Sequence, residues 1–213
     1  IVGNHDCNIN NMSDYDSLSV IFGKAFKTKN PVHILLNNNL YEFNNIMFGV
    51  TTLFANEVTP CIINTNHIKI GLYHGTIHGA TTDLGFKFKN DLTNSKYFNT
   101  KKFKDYDYVL LGDIHKHQFL NKKKTIVYAS SLIQQTRDES LKNHGYVLLD
   151  LITKNLSFHK INNNYGMTTA IINESGQFII DENLPTYLDI KIISKNINND
   201  KINELYSFLQ NKH

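Results

Sequence analysis

The sequence predicts a layered α/β fold. Short runs rich in Val, Ile, Leu, Tyr and Phe recur along most of its length, and amphipathic helical stretches stand near both ends. Several of the runs are almost continuously apolar, which places those strands between two covering layers rather than at a wet face. At 213 residues, with 41% hydrophobic and 11% aromatic content, the chain can bury one substantial core, or one core with a small appendage.

The first element is a helix. Leu18, Ile21, Phe22, Ala25 and Phe26 share one face of a 3.6-residue repeat, and Ser13 with Asp16 three residues later offers a capping-box start. Strands follow at Val32–Leu36, Ile46–Thr51, Ile68–Tyr73, Tyr108–Leu111, Thr125–Ala129 and Tyr146–Leu151, each a β-branched and aromatic run bounded by polar residues. Two or three further extended segments lie between Met167 and Ile193, with a turn at Asn173-Glu174-Ser175-Gly176. A closing helix carries Ile202, Leu205, Tyr206 and Leu209 on one face. A soft boundary at Asn164-Tyr165-Gly166 divides a main domain, residues 1–165, from a small βα appendage, residues 166–213. The runs Asn37-Asn38-Asn39 and Asn162-Asn163-Asn164 read as loops.

Bulk properties set the surroundings. A net charge of +3 suits a protein that meets phosphates without being an obligate polycation. Cys7 and Cys61 are too few for a disulfide framework and lack zinc-site spacing, so a reducing, intracellular compartment is expected. No apolar run approaches the roughly 20 residues that span a bilayer, and Ile1-Val2-Gly3 does not open a signal peptide.

The chemistry gathers just past the ends of three expected strands. Gly3-Asn4-His5-Asp6 follows an apolar pair, Tyr73-His74-Gly75 ends the run begun at Ile68, and Gly112-Asp113-Ile114-His115 ends the run begun at Tyr108. Loops at strand ends converge on one rim of a sheet, where ligands far apart in sequence can meet. Carboxylate, carboxamide and imidazole donors without thiolate suit a hydrolytic Mn²⁺, Fe or Zn²⁺ site rather than a structural zinc clamp.

Gly-Asn-His-Asp, then a strand ending in His-Gly, then one ending in Gly-x-x-His, resembles the ordered motif set of the calcineurin-like metallophosphoesterases. Asp16-Ser17-Leu18-Ser19, the residues from Lys116 to Gln118, the stretch Tyr128-Ala129-Ser130-Ser131-Leu132-Ile133-Gln134-Gln135 and His144-Gly145-Tyr146 extend the likeness to the SbcD-type DNA-repair nucleases and their viral relatives. That branch is the nuclease subunit of the SbcCD, or meiotic-recombination-eleven, complex. The resemblance covers residues 1–165 well and the tail in general character.

It implies two packed mixed sheets flanked by helices, and a phosphodiesterase that cuts DNA with two divalent ions, manganese first, with Fe, Zn²⁺ or Mg²⁺ as alternatives. Asn4, His74 and Asp113 would bind the second metal and His115 the first. His5 would protonate the leaving group, with Asp6 orienting it. Asp113 departs from the usual His, although a carboxylate can fill the same position on a hard ion. The family's opening Asp-x-His and Gly-Asp motifs belong upstream of Gly3, so the chain is expected to be N-terminally incomplete and to build about half a site. DNA, an SbcC-type ATPase subunit and a homodimer are the implied partners, with no membrane.

Other readings stand beside this one. The same metal chemistry serves hydrolases of small phosphoesters or nucleotides, and an incomplete fragment would only bind. Gly-Asn-His-Asp alone also reads as a polar turn, and His74 alone as a structural histidine; their order in the series lifts them above that. His78, His117 and His144 read as structural, and His33, His67, His159 and His213 as surface or turn residues. Lys101, Lys102, Lys104 and Lys122-Lys123-Lys124 are candidates for DNA phosphates, but a solvated loop is the stronger reading of them.

Overall fold

The computed structural model describes residues 1–7, 16–22, 29, 32–63, 66–89, 97–180, 184–195 and 198–211. These residues form a strand-rich α/β arrangement of three mixed or antiparallel sheets with few helices.

The largest sheet has six strands in the order β1-β2-β3-β4-β6-β5. These are β1 (Asn39–Phe43), β2 (Ile46–Thr51), β3 (Ile68–His74), β4 (Tyr108–Gly112), β5 (Gln118–Phe119) and β6 (Ile126–Tyr128). β2, β3, β4 and β6 run parallel, and β1 and β5 close the edges antiparallel. Parallel neighbours need long crossovers. Here the crossover between β3 and β4 carries aromatic side chains into the core, one of them, Phe103, from a short 3-10 turn at Thr100–Phe103. Phe98 and Phe103, from the β3–β4 crossover, pack with Tyr73, Val109, Leu111 and Tyr128 from the strands.

A glycine pair shapes this crossover. Gly49 and Gly71 are register partners on β2 and β3, and the Tyr106 ring lies across both. A Cβ on Gly49 would fall 1.8 Å from the Tyr106 hydroxyl, so only glycine leaves room for it. That hydroxyl donates to the Thr59 carbonyl and ties the crossover to the preceding loop.

β7 (Gly145–Asp150) and β8 (Asn155–Lys160) form a separate hairpin, linked to the main sheet where the Tyr108 hydroxyl donates to the Lys154 carbonyl (2.9 Å). In the tail, β9 (Tyr165–Ile172) lies between β10 (Phe178–Ile179), antiparallel to it, and β11 (Tyr187–Ile193), parallel to it. The α2 helix (Asn199–Gln210) is capped by Asn198, whose side chain accepts from Lys201 N–H, and Leu205 is its buried residue.

The expected strands at Ile46, Ile68, Tyr108, Thr125 and Tyr146 appear within a residue or two of their predicted bounds. Two expectations need correction. The apolar pair Ile1-Val2 ahead of Gly3 is not part of a strand. Val32–Leu36 is not a strand. The strand that pairs there is β1, which forms a hairpin with β2 over Asn44-Asn45, where Asn44 takes a left-handed φ of 52°. An apolar run without a ladder partner stays irregular, and the polar Asn39 found one. Of the first helix, the described part is α1 (Ser17–Val20), capped by Asp16, with none of these four residues buried. Ser13, Ala25 and Phe26 lie outside the described residues. Among the described residues, no helix is long and apolar enough to cross a membrane.

Candidate functional site

The parallel register decides what meets at the sheet's rim. His74 is the Cα partner of Gly112, so the end of β3 stands beside Asp113, the first residue beyond β4. Asp113 has a φ of 93° and Ser130, beyond β6, one of 91°. Non-glycine residues in this region carry backbone strain, and here two occur past the ends of neighbouring strands.

Residues 3–6 form a tight turn that delivers Asn4 to the same place. Asp6 N–H donates to the Gly3 carbonyl (3.1 Å) while Gly3 N–H donates to Asp6 Oδ2 (2.9 Å). The Asn4 side chain then reaches His74, with Oδ1 3.1 Å from Nε2. The His74 ring lies between two glycines. A Cβ on Gly3 would sit 2.9 Å from its Nε2, and one on Gly112 2.7 Å from its Nδ1. Burial pushes the His74 pKa down, aided by His115 and His5 and opposed by Asp113 and Asp6, so the neutral imidazole is favoured.

Asp113 and His115 are held by their own partners. The Thr76 hydroxyl donates to Asp113 Oδ2 (2.9 Å). His115 Nδ1 is 2.8 Å from Glu139 Oε1, and the Glu139 side chain is only 9% exposed. Burial alone would raise the Glu139 pKa, but hydrogen bonds from Gln135 N–H, His115 and Thr136 outweigh it and hold the carboxyl below its ordinary range. Ser131 also donates to Glu139. The loop after β3 is pinned by buried Tyr128, whose hydroxyl accepts from Ile77 N–H (2.9 Å) and donates to the Gly75 carbonyl (2.7 Å). Tyr73, beside His74 but on the opposite face, has its pKa pushed up to about 12 by burial and by the nearby Asp113 and Tyr97.

The structure therefore joins Asn4 directly to His74 and sets Asp113 on the next strand's end, with His115 two residues further. His5 is exposed at the corner of the turn. The Asp6 carboxylate accepts from Gly3 N–H, and among the described residues it makes no hydrogen bond to the His5 ring. No group of three His, Cys, Asp or Glu side chains among the described residues is clustered to hold a metal ion. The donor set that does converge is carboxamide with imidazole, one carboxylate away. By donor type, a half-buried neutral imidazole with a carboxamide oxygen against it, and a carboxylate just past the neighbouring strand's end, are groups that divalent ions accept.

The other histidines fall elsewhere. His144 bonds Ser131 and the Ser140 carbonyl, His117 bonds the Tyr128 carbonyl and stacks on Phe158, and His78 bonds the Lys89 carbonyl. Sequence reasoning missed Glu139. Its signal, a carboxylate nine residues into the stretch that begins at Ser131, has no periodicity to announce it.

No family model matches the chain. It is 36% identical, over 223 aligned residues, to an uncharacterized protein of Acanthamoeba polyphaga mimivirus. That alignment takes in all of this chain, which spans 16% of the mimivirus protein's length.

Proposed function

We propose that this chain carries donors of a divalent-metal phosphodiesterase site of the SbcD type, with DNA as its substrate. The supporting observation is the contact between Asn4 Oδ1 and His74 Nε2 beside the strand end that bears Asp113. On this reading the six-stranded sheet is one layer of a metallophosphoesterase fold, and the tail begins a capping unit.

Asn4, His74 and Asp113 would hold one ion, and His115 would contribute to a second. Bound ions supply positive charge at the scissile phosphate and ionise water near neutral pH. The chain's own residues do the rest. Asn4 Oδ1 and His74 Nε2 would hold the ion, and the burial that favours the neutral His74 imidazole would leave one ring nitrogen free to ligate it. Glu139 holds Nδ1 of His115 and turns Nε2 outward, the arrangement that fixes a ligating imidazole. Thr76 fixes one oxygen of Asp113 and leaves the other for the ion. His5, exposed at the turn, donates a proton to the departing alkoxide.

Calorimetric titration with Mn²⁺ tests the donors. His74→Ala and Asp113→Ala should weaken binding at least about tenfold, given what loss of supporting contacts alone does to metal sites. In the native full-length protein, plasmid nicking with Mn²⁺ should be lost with His74→Ala, and with His5→Ala at unchanged Mn²⁺ affinity. Wild-type nicking rates in both variants would refute the assignment.

A further inference from the structure

We propose that the hairpin of residues 77–89, with the short turn at Asn99–Lys101, is a track for the phosphate backbone of a nucleic-acid strand, its charges being Lys87, Lys89 and Lys101. The track rests on the phosphodiesterase reading only for its direction, since one end of it leads to the rim described above.

The hairpin is defined by its backbone. Gly79 N–H donates to the Phe88 carbonyl, Phe88 N–H to Ala80, and Thr82 N–H to Phe86, with Thr81 bridging Lys87 and Gly85 turning the tip at a φ of 81°. Its tip, with Asp83, Leu84 and Phe86, borders the cleft that holds Asp113, His115 and Glu139. Its base borders a different groove, of about 530 Å³, on the side of Asn99 and Thr100. One element therefore spans the distance from the candidate site to the groove.

That groove is one-signed. Lys87, Lys89, Lys101 and His78 line it together with Asn99 and Thr100, and among the described residues no carboxylate does. None of the three lysines takes part in an ion pair among the described residues. Alternation along the strand-like arm puts Lys87 and Lys89 outward while Phe88 between them packs on the core. Clustered, unneutralised ammonium groups gain free energy from counterion release when a polyanion docks. The aromatic content selects a nucleic acid over an acidic peptide. Phe86 at the tip is 62% exposed and meets Phe88 edge-on, leaving ring surface for a base to stack on. Lys122, Lys123 and Lys124 differ, because they sit on the turn between β5 and β6 and Lys124 lies over the Phe119 ring.

The test is fluorescence anisotropy with a labelled DNA single strand of about 16 nucleotides, near the upper site size of such grooves, and its RNA counterpart, in EDTA. The variant K87Q/K89Q/K101Q should bind more weakly and lower the slope of log affinity against log salt by about 2, from about 0.7 per phosphate contact. K122Q/K123Q/K124Q, with the same loss of charge, should leave the slope near that of the wild type. Phe86→Ala should weaken binding about tenfold at constant slope, the size of one lost stacking contact. Equal slopes for the two triple variants, or displacement by polyglutamate as effective as by DNA, would overturn the track. Because EDTA removes hydrolysis from the measurement, such a result counts against the track alone, and a nicking failure counts against the metal site alone.

Discussion

The six-stranded sheet and the three-stranded tail sheet each have a parallel strand pair, yet they are finished differently. β3 and β4 bury Tyr73, Val109 and Leu111 under aromatic crossover residues, and the candidate ligands His74, Asp113 and His115 lie at or just beyond their ends. β9 buries Thr168, Ala170 and Ile172 toward one face and β11 buries none of its residues, while Ile171, Ile179 and Ile193, register neighbours on the other face, are 42%, 55% and 47% exposed. The tail is fastened to the main unit by side chains. Gln134 bonds the Glu139 carbonyl and both the N–H and carbonyl of Met167, and Arg137 bonds the Thr168 carbonyl and Asp189. Polar groups are held to a useful geometry where the strands beneath them are clamped on a packed core, and strand pairing by itself does not provide that.

The contrast can be broken first at Leu205, which is 2% exposed in α2. Leu205→Ala should cost about 2–5 kcal/mol, the range for a buried leucine. The loss should fall on the tail, so that amide exchange accelerates in β9 and β11 while β3 and β4 keep their protection. Equal acceleration in both sheets would show one cooperative unit. In the main sheet, Gly49→Ala drives a methyl into the Tyr106 hydroxyl and breaks its bond to Thr59. A loss of about 3 kcal/mol, at the upper end for overpacking, should appear in urea melts. Tyr128→Phe should cost about 1–3 kcal/mol by leaving buried Ile77 N–H without its acceptor. It should also weaken Mn²⁺ binding, because Gly75 and Ile77 follow His74; unchanged affinity would uncouple the loop from the site.

The smallest effect concerns pH. Glu139 and Asp189, in and against the 131–139 segment, both titrate below their ordinary values of 4.5 and 3.8. Hydrogen bonds cause both shifts, from Gln135 and His115 against the burial of Glu139, and from Arg137 for Asp189. A carboxyl depressed by folding contributes stability that is complete above its unfolded value and disappears as pH falls through its folded one. Exchange at β9 should therefore quicken below about pH 4, while β3 and β4 change less. Tail protection that weakens instead on going from pH 7 to pH 9 would contradict this account of the fastening.

Part of this was legible in the sequence. β-branched runs set β2, β3, β4, β6 and β7, because the preference of such side chains for a pleated surface is local. The closing helix showed itself through the 3.6-residue spacing around Leu205, and the turn at Asn173–Gly176 through its residue types. Of the first helix, the turn Ser17–Val20 took shape where its polar cap, Asp16, accepts from Ser19 N–H. β1 was missed because its strand character comes from β2, its partner.

By itself the sequence determined which residue types stand at the ends of which strands, since strand propensity and chain order are written in neighbouring positions. Only the tertiary structure decided that Asn4 reaches His74 across 70 residues, that Gly3 and Gly112 enclose its ring, and that Glu139 takes His115. Those contacts depend on the register of parallel strands and on where crossover loops come to rest. Both are fixed by the packing of the whole core rather than by any local run of residues.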